Sequence, residues 1–119
     1  MESALLTLEK NFFRLSYISD RSWLESVLHA DFSELGKSGE RFDRQETIDA
    51  LLACTEDRKI VIYNFSEEKL TENCRMVHYI TGNADKFFYR TSIWIGQAEP
   101  QLRYHQASLI ARPEMLSES

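Results

Sequence analysis

Three residues whose side chains could take part in binding or catalysis occupy every second position of one predicted strand. Arg90, Ser92 and Trp94 have this spacing, so an extended chain places all three on the same face. A guanidinium on such a face can hold an anionic or carbonyl group through paired hydrogen bonds. Glu34, on an earlier short strand, is the obvious countercharge.

A histidine is predicted to lie across from this strand. The polar break Gln97–Pro100 predicts a hairpin, and a simple register places Ser92 opposite His105. A one-residue bulge would instead bring Gln106 to that face. A proton could be moved by His105 or by Glu34, which makes these two residues the catalytic candidates.

These residues allow two interpretations. In one, a pocket binds a small polar or anionic ligand, and its candidate ligand-binding residues are Glu34, Arg90, Ser92, His105, Tyr17 and Tyr79. In the other, a buried ion pair between Glu34 and Arg90 fixes the sheet to the turn Gly36–Gly39 and binds nothing. The sequence leaves both open.

Phosphate-loop and metal chemistry find little support in the sequence. The stretch Gly36–Ser38 ends like a phosphate-binding loop, but the glycine required five residues earlier is replaced by Asp31. No two histidines have the spacing of a zinc site, so no metal and no organic cofactor are expected. The two cysteines, Cys54 and Cys74, lack metal-ligand spacing and are expected to be reduced thiols.

The N-terminal half predicts helices. Apolar residues spaced by three and four form a stripe in the first helix, with Glu9 expected on the opposite side. A second helix is expected to begin at Ser19 or Asp20 and to end near His29. After the short strand "DFSEL", a further helix is expected to be capped by Asp43.

From residue 59 the pattern alternates with period two and is rich in β-branched and aromatic residues. Short polar breaks join these segments, so they are expected to form antiparallel hairpins. Helices followed by such strands predict the α+β class, with the helices in the concave face of a strongly curved, mostly antiparallel sheet. We expect one domain over residues 1–119, with a frayed tail from about residue 112.

Three segments together resemble a known fold family. They are "HADFSELGKSGERFDRQETIDALL", "YRTSIW" and "YHQAS". In this order they resemble a bacterial family of uncharacterised domains within the nuclear transport factor 2-like superfamily, which includes ketosteroid isomerase and the SnoaL-like cyclases. The resemblance implies a cone-shaped α+β barrel.

Function is less determined than fold, because this superfamily hosts enzymes, binding proteins and dimerisation modules. The first hypothesis is a small-molecule-binding protein or an enzyme of the isomerase, dehydratase or hydrolase kind. The alternative is a non-catalytic dimerisation or accessory module with a vestigial pocket.

Charge and hydropathy narrow the partners and the compartment. The net charge is −5 with no basic run, which argues against a nucleic-acid partner. No secretory signal and no apolar run of about 20 residues is present, so we expect no membrane association and a cytoplasmic location. Phe87, Phe88 and Tyr89 direct at least one ring outward, which suggests a homodimer through the outer face of the sheet.

Overall fold

The computed structural model describes residues 2–83 and 85–119, and within them helices come before most of the sheet. The elements are α1 Ala4–Asn11, α2 Leu15–Ile18, α3 Arg21–Val27, β1 Leu28–Leu35, β2 Arg41–Asp43, α4 Arg44–Leu52, β3 Val61–Thr71, β4 Cys74–Asn83, β5 Lys86–Ile95 and β6 Gln101–Ile110. This order confirms the predicted α+β class. None of these helices is long and apolar enough to span a membrane.

The described strands form one six-stranded sheet in the order β2-β1-β6-β5-β4-β3. Strands β3 to β6 form the predicted antiparallel meander, while β1 runs parallel to β6. The register places Ser92 opposite His105, and Glu34 lies opposite the same histidine on its other side. The sheet therefore brings residues from three adjacent strands to one place.

The hairpin between β5 and β6 reaches this register by an unexpected route. It closes on the pair Ile95 and Gln101, and the register then shifts by one residue next to Trp94. Beyond this shift the predicted pairing of Ser92 with His105 holds. His105 is buried and Gln106 is half-buried, so the histidine faces the interior.

Side-chain caps fix where the helices begin. Asp20 accepts from the amide of Trp23 and begins α3, and Asp43 forms a complete capping box with Glu46 at the start of α4. The end of α3 was predicted too late. The helix stops at Val27, because the following backbone turns extended and enters β1 directly.

The C-terminal tail, predicted to be frayed, is instead paired with β3. Asn64 donates its amide to the carbonyl of Ser117, and the amide of Ser119 donates to Ile62. The Asn64 side chain adds a contact to the amide of Ser117 at 2.8 Å. Asn64 has a positive φ of 55°, which interrupts the β3–β4 register and directs these groups towards the tail. The prediction was wrong because local composition does not reveal a partner strand.

Candidate functional site

A cavity of about 240 Å³ lies between the helices and the inner face of the sheet. Its walls combine aromatic rings with seven charged or titratable side chains. The polar wall residues are Glu9, Glu34, Thr47, Cys54, Arg58, Tyr79, Arg90 and His105, and the apolar ones include Phe12, Phe13, Phe32, Phe42 and Leu102. The cavity thus contains four of the six predicted ligand-binding residues.

Arg90 projects from the centre of β5 into this cavity and is only 6% exposed. Its Nε donates to Thr81 Oγ1 at 2.8 Å, and one terminal nitrogen lies 3.4 Å from His105 Nε2. The guanidinium also lies over the ring of Phe13. Within residues 2–83 and 85–119 it forms no ion pair. The ion pair with Glu34, one of the two interpretations that the sequence left open, is therefore absent among the described residues.

His105 is held as a neutral ring between two partners. Its Nδ1 lies 2.7 Å from Ser92 Oγ. Because Arg90 can only donate, Nε2 must be the accepting nitrogen, and the proton therefore lies on Nδ1 and is donated to Ser92. Burial, together with the positive charges of Arg90 and Arg58, lowers the pKa of His105 to about 3.

Glu9 lies beyond Ser92, at the far end of the row of polar side chains that begins with Arg90 and His105. The sequence analysis did not identify it as a site residue. Its carboxylate accepts from the hydroxyl of Tyr79 and, at 2.8 Å, from Trp94 Nε1. Burial raises the pKa of Glu9 overall, although Tyr79, Ser92 and Trp94 act to lower it. Arg90, His105 and Ser92 are thus linked by hydrogen bonds, and the Ser92 end of this chain lies near the Glu9 carboxylate.

The placement of Glu9 on the exposed side of α1 was wrong, since its side chain is 1% exposed. The sequence did carry a signal for the correct placement. Leu5, Glu9 and Phe13 are spaced by four, and both flanking residues belong to the core. An acidic residue in line with such a stripe is expected to be buried with polar partners, and Tyr79 and Trp94 provide them.

Three further polar groups line the cavity with few partners. Glu34 is half-buried, and burial raises the pKa of its carboxyl despite the opposing effect of Arg90. Arg58, in the loop before β3, lies 4.9 Å from the centre of the Phe13 ring. Burial and the nearby Arg90 lower the pKa of Arg58. The hydroxyl of Thr47 is buried and, among the described residues, has no hydrogen-bond partner.

The remaining candidates occupy different environments. Tyr79 lines the cavity, but its hydroxyl is committed to Glu9. Ser92 is fully buried behind His105, which it positions, and does not reach the cavity. Tyr17 is 37% exposed and packs edge-on against Trp23, so the structure does not bring it together with the candidates that line the cavity. The short helix α2 turns it towards solvent.

No metal site is evident in the part of the chain that the structure describes, where no group of three or more His, Cys, Asp or Glu side chains could hold an ion. Cys54 and Cys74 are both free thiols. Cys54 lines the cavity and its Sγ lies 3.7 Å from the carbonyl of Ala50. The cavity wall thus contains a thiol in addition to its arginines, carboxyls, histidine and hydroxyls.

Solved structures with the same architecture identify the fold. A nuclear transport factor 2-like protein from Cytophaga hutchinsonii is 18% identical, with a TM-score of 0.69 over 92% of this chain and 100% of that chain. A nuclear transport factor 2-like protein of unknown function in nutrient uptake from Rhodospirillum rubrum is also 18% identical, with a TM-score of 0.72 over 91% and 99%. This chain has the nuclear transport factor 2-like fold. The predicted resemblance is thereby confirmed at the level of the fold.

This chain is also similar in structure to a protein of unknown function from the DUF3225 family, from Pectobacterium atrosepticum. That protein is 16% identical, with a TM-score of 0.72 over 91% of this chain and 86% of that chain. No known sequence family matches the chain. No curated protein matches it in sequence either. These comparisons therefore show the fold and assign no activity. The function has to be inferred from the residues of the cavity.

Proposed function

We propose that this protein binds a small organic carboxylate in its interior cavity, with Arg90 as the main anchor. The supporting observation is a guanidinium that is only 6% exposed and that forms no ion pair among the described residues. Burying a cation costs free energy unless an anion or a full set of hydrogen bonds compensates it. A ligand carboxylate would provide that charge through two parallel hydrogen bonds.

A second cation supports an anionic ligand. Arg58 lines the same cavity, and both guanidinium groups lie over the Phe13 ring, at 4.9 Å for Arg58 and 5.3 Å for Arg90. The pKa of Arg58 is lowered by burial and by Arg90, which means that the two cations repel each other. A carboxylate between them would relieve this repulsion.

The size and the walls of the cavity limit the ligand. A cavity of about 150 Å³ is enough to bind benzene, and this one measures about 240 Å³. Phe12, Phe32 and Leu102 form part of an apolar wall around the charged end. These features favour a ligand with a short apolar body and one carboxylate.

Binding is favoured over catalysis by the state of His105. A general base at neutral pH needs a pKa near 7 and a free nitrogen. The pKa of His105 is lowered to about 3, and its accepting nitrogen already faces Arg90. Of the two catalytic candidates, Glu34 is the better placed for proton transfer, since burial raises its pKa and it lines the cavity.

A ligand screen followed by calorimetry tests this proposal. Among small carboxylates, ketones and lactones, at least one carboxylate should raise the Tm of the wild-type protein. Arg90→Met should weaken its binding by about 30-fold or more, because it removes one partner of a buried charge pair. Arg21→Met is the matched control, since Arg21 is exposed on α3 and lies outside the cavity.

The contrary result is a folded protein that no carboxylate stabilises at millimolar concentration. That outcome would favour the accessory module with a vestigial pocket. Equal loss of binding in the Arg90 and Arg21 variants would show that net charge, rather than the cavity, attracts the anion.

We also propose that two copies associate through the outer face of the sheet. The outward positions at its centre carry no Lys, Arg, Asp or Glu, although 28% of the chain is charged. They are Met76, His78 and Ile80 on β4, Tyr89, Thr91 and Ile93 on β5, and Tyr104, Gln106 and Ser108 on β6. A sheet face in contact with water normally carries charged residues, so the absence of charge at these positions supports association with a second copy. We place this dimer in the cytoplasm, the compartment that the sequence predicts.

Light scattering across a concentration series tests the association. Wild-type protein should have twice the mass of the chain at micromolar concentration. Ile93→Lys should give a monomer, because it places a charge at the centre of the uncharged face. A monomeric wild-type protein would contradict the proposal, and Leu70→Lys, at an exposed position of β3, is the control.

A further inference from the structure

One acidic group in the cavity is left without a partner, although two cations share the space with it. Within the described part of the chain, the carboxylate of Glu34 accepts no hydrogen bond and forms no ion pair. It lines the same cavity as Arg58 and Arg90. An anionic ligand alone would add a further negative charge to this space and would leave Glu34 without a partner.

The sheet register explains why Glu34 and Arg90 do not meet. Glu34 lies opposite His105, which lies opposite Ser92, and Arg90 is two residues further along the same strand as Ser92. With strands about 4.8 Å apart and residues about 3.3 Å apart, the two Cα atoms are separated by roughly 12 Å. Their side chains converge on one cavity from two sides, and a gap remains between the charges.

We propose that the ligand of this cavity is a small amino carboxylate, with its carboxylate on Arg90 and Arg58 and its ammonium group on Glu34. This inference rests on the proposed function and specifies its ligand class. A zwitterion with a few methylene groups between its charges would satisfy both unpaired groups at once. Its short apolar stem would lie along the aromatic wall formed by Phe12 and Phe32.

A hydroxyl on α4 adds to the site. Thr47 Oγ1 is the buried side-chain polar atom that lacks a partner among the described residues, and it lines the same cavity. A hydroxyl can donate to a carboxylate or accept from an ammonium group, so Thr47 can serve either end of the ligand. Burying such a hydroxyl without a partner costs free energy, and a bound zwitterion removes that cost.

Two other ligand classes fit less well. A dicarboxylate would direct its second carboxylate at Glu34 and would have to recruit Lys37. Lys37 is exposed in the turn before β2, 5.3 Å from the centre of the Phe88 ring, and does not line the cavity. A simple amine would place a third cation beside Arg58 and Arg90.

The experiment is a calorimetric titration at pH 7 with three ligands of matched length: 5-aminopentanoate, pentanoate and glutarate. Wild-type protein should bind 5-aminopentanoate about ten-fold more tightly than pentanoate, since one ion pair in a partly buried site contributes on the order of 1.4 kcal/mol. In Glu34→Gln this preference should disappear while pentanoate still binds. Glu40→Gln, at an exposed position in the neighbouring turn, should keep the preference. The shorter and longer homologues, 4-aminobutanoate and 6-aminohexanoate, test the distance between the two charged groups of the ligand.

Each contrary result identifies what failed. Equal or tighter binding of pentanoate in wild-type protein would overturn amine recognition and leave carboxylate binding intact. Tighter binding of glutarate would assign the second subsite to Lys37 and overturn the inference. If none of the carboxylates binds at any length, the proposed function itself fails. Should Glu34→Gln not fold, the ranking of the three ligands by wild-type protein still decides.

Discussion

A row of buried polar side chains runs from Arg90 through His105 and Ser92 to Glu9. Its two ends differ in how completely their groups are paired. At the Glu9 end, one carboxylate oxygen accepts from Tyr79 and the other from Trp94. At the Arg90 end, one donor reaches Thr81 and a second makes a long contact to His105, while no carboxylate is in reach among the described residues. Both ends lie on the inner face of the same sheet.

This difference distinguishes buried polar groups that hold the fold together from buried polar groups that are free to bind a ligand. A buried group whose hydrogen bonds are complete fixes the packing of helix against sheet, as Glu9 does between α1 and the central strands. A buried group with spare donors or acceptors costs stability in the free protein and gains it when a partner arrives. Arg90, Glu34 and Thr47 belong to this second kind, which is why we propose the ligand site at their end.

The largest effect is expected at the paired end. Glu9→Ala removes the acceptor of two buried donors, Tyr79 and Trp94, and should lower the free energy of unfolding by about 4 kcal/mol. Urea denaturation measures this change. Glu68→Ala, at an exposed position of β3, should change it by less than about 0.5 kcal/mol. A loss below about 1 kcal/mol for Glu9→Ala would show that its hydrogen bonds do not hold the fold.

A smaller effect on stability is expected at the open end. Arg90→Met replaces a poorly compensated cation by an apolar side chain of similar length. The free energy of unfolding without ligand should therefore change by no more than about 1 kcal/mol. The same urea experiment, with and without the best carboxylate, tests this. A loss as large as that of Glu9→Ala would erase the contrast between the two ends.

The histidine between the two ends should make stability depend on pH. The pKa of His105 is lowered to about 3 from 6.5, so the unfolded chain takes up its proton first as the pH falls. The contribution of the neutral histidine to the free energy of unfolding is complete above pH 6.5 and is lost as the pH falls towards 3. Relative to His105→Gln, wild-type protein should lose about 1.5 kcal/mol of stability between pH 6.5 and pH 5.

The prediction compares wild-type protein with His105→Gln because other groups change the stability in the opposite direction as the pH falls. The pKa values of Glu9 and Glu34 are raised by burial, and acidification therefore stabilises the folded protein through them. These two groups remain in the variant. Parallel pH profiles for wild-type protein and His105→Gln would contradict a depressed histidine pKa.

A small effect of opposite sign is expected from Thr47→Val. The substitution removes a buried hydroxyl without a partner and keeps the shape of the side chain, so it should raise the free energy of unfolding by up to about 1 kcal/mol. Ligand binding should weaken by a few-fold. Thermal denaturation and calorimetry measure the two effects. Destabilisation would mean that the hydroxyl has a partner in the free protein.

Much of the fold and part of the site could be predicted from the sequence. The alternation around Arg90 and Ser92 predicted the inner face of β5, and the short break before Gln101 predicted the hairpin that brings His105 across. Both are local patterns, set by the period of a strand and the length of a turn. The placements of Glu9 and the tail failed because they depend on which distant element covers them.

The sequence by itself determined the α+β class, the capped start of α4 at Asp43 and the set of polar residues on the central strands. Capping and strand period need only neighbours in the chain. Only the tertiary structure decided that Glu9 is paired and that Glu34 and Arg90 are kept apart. The pairing of α1 with the sheet completes the hydrogen bonds at one end. The spacing of three strands leaves charges unpaired at the other.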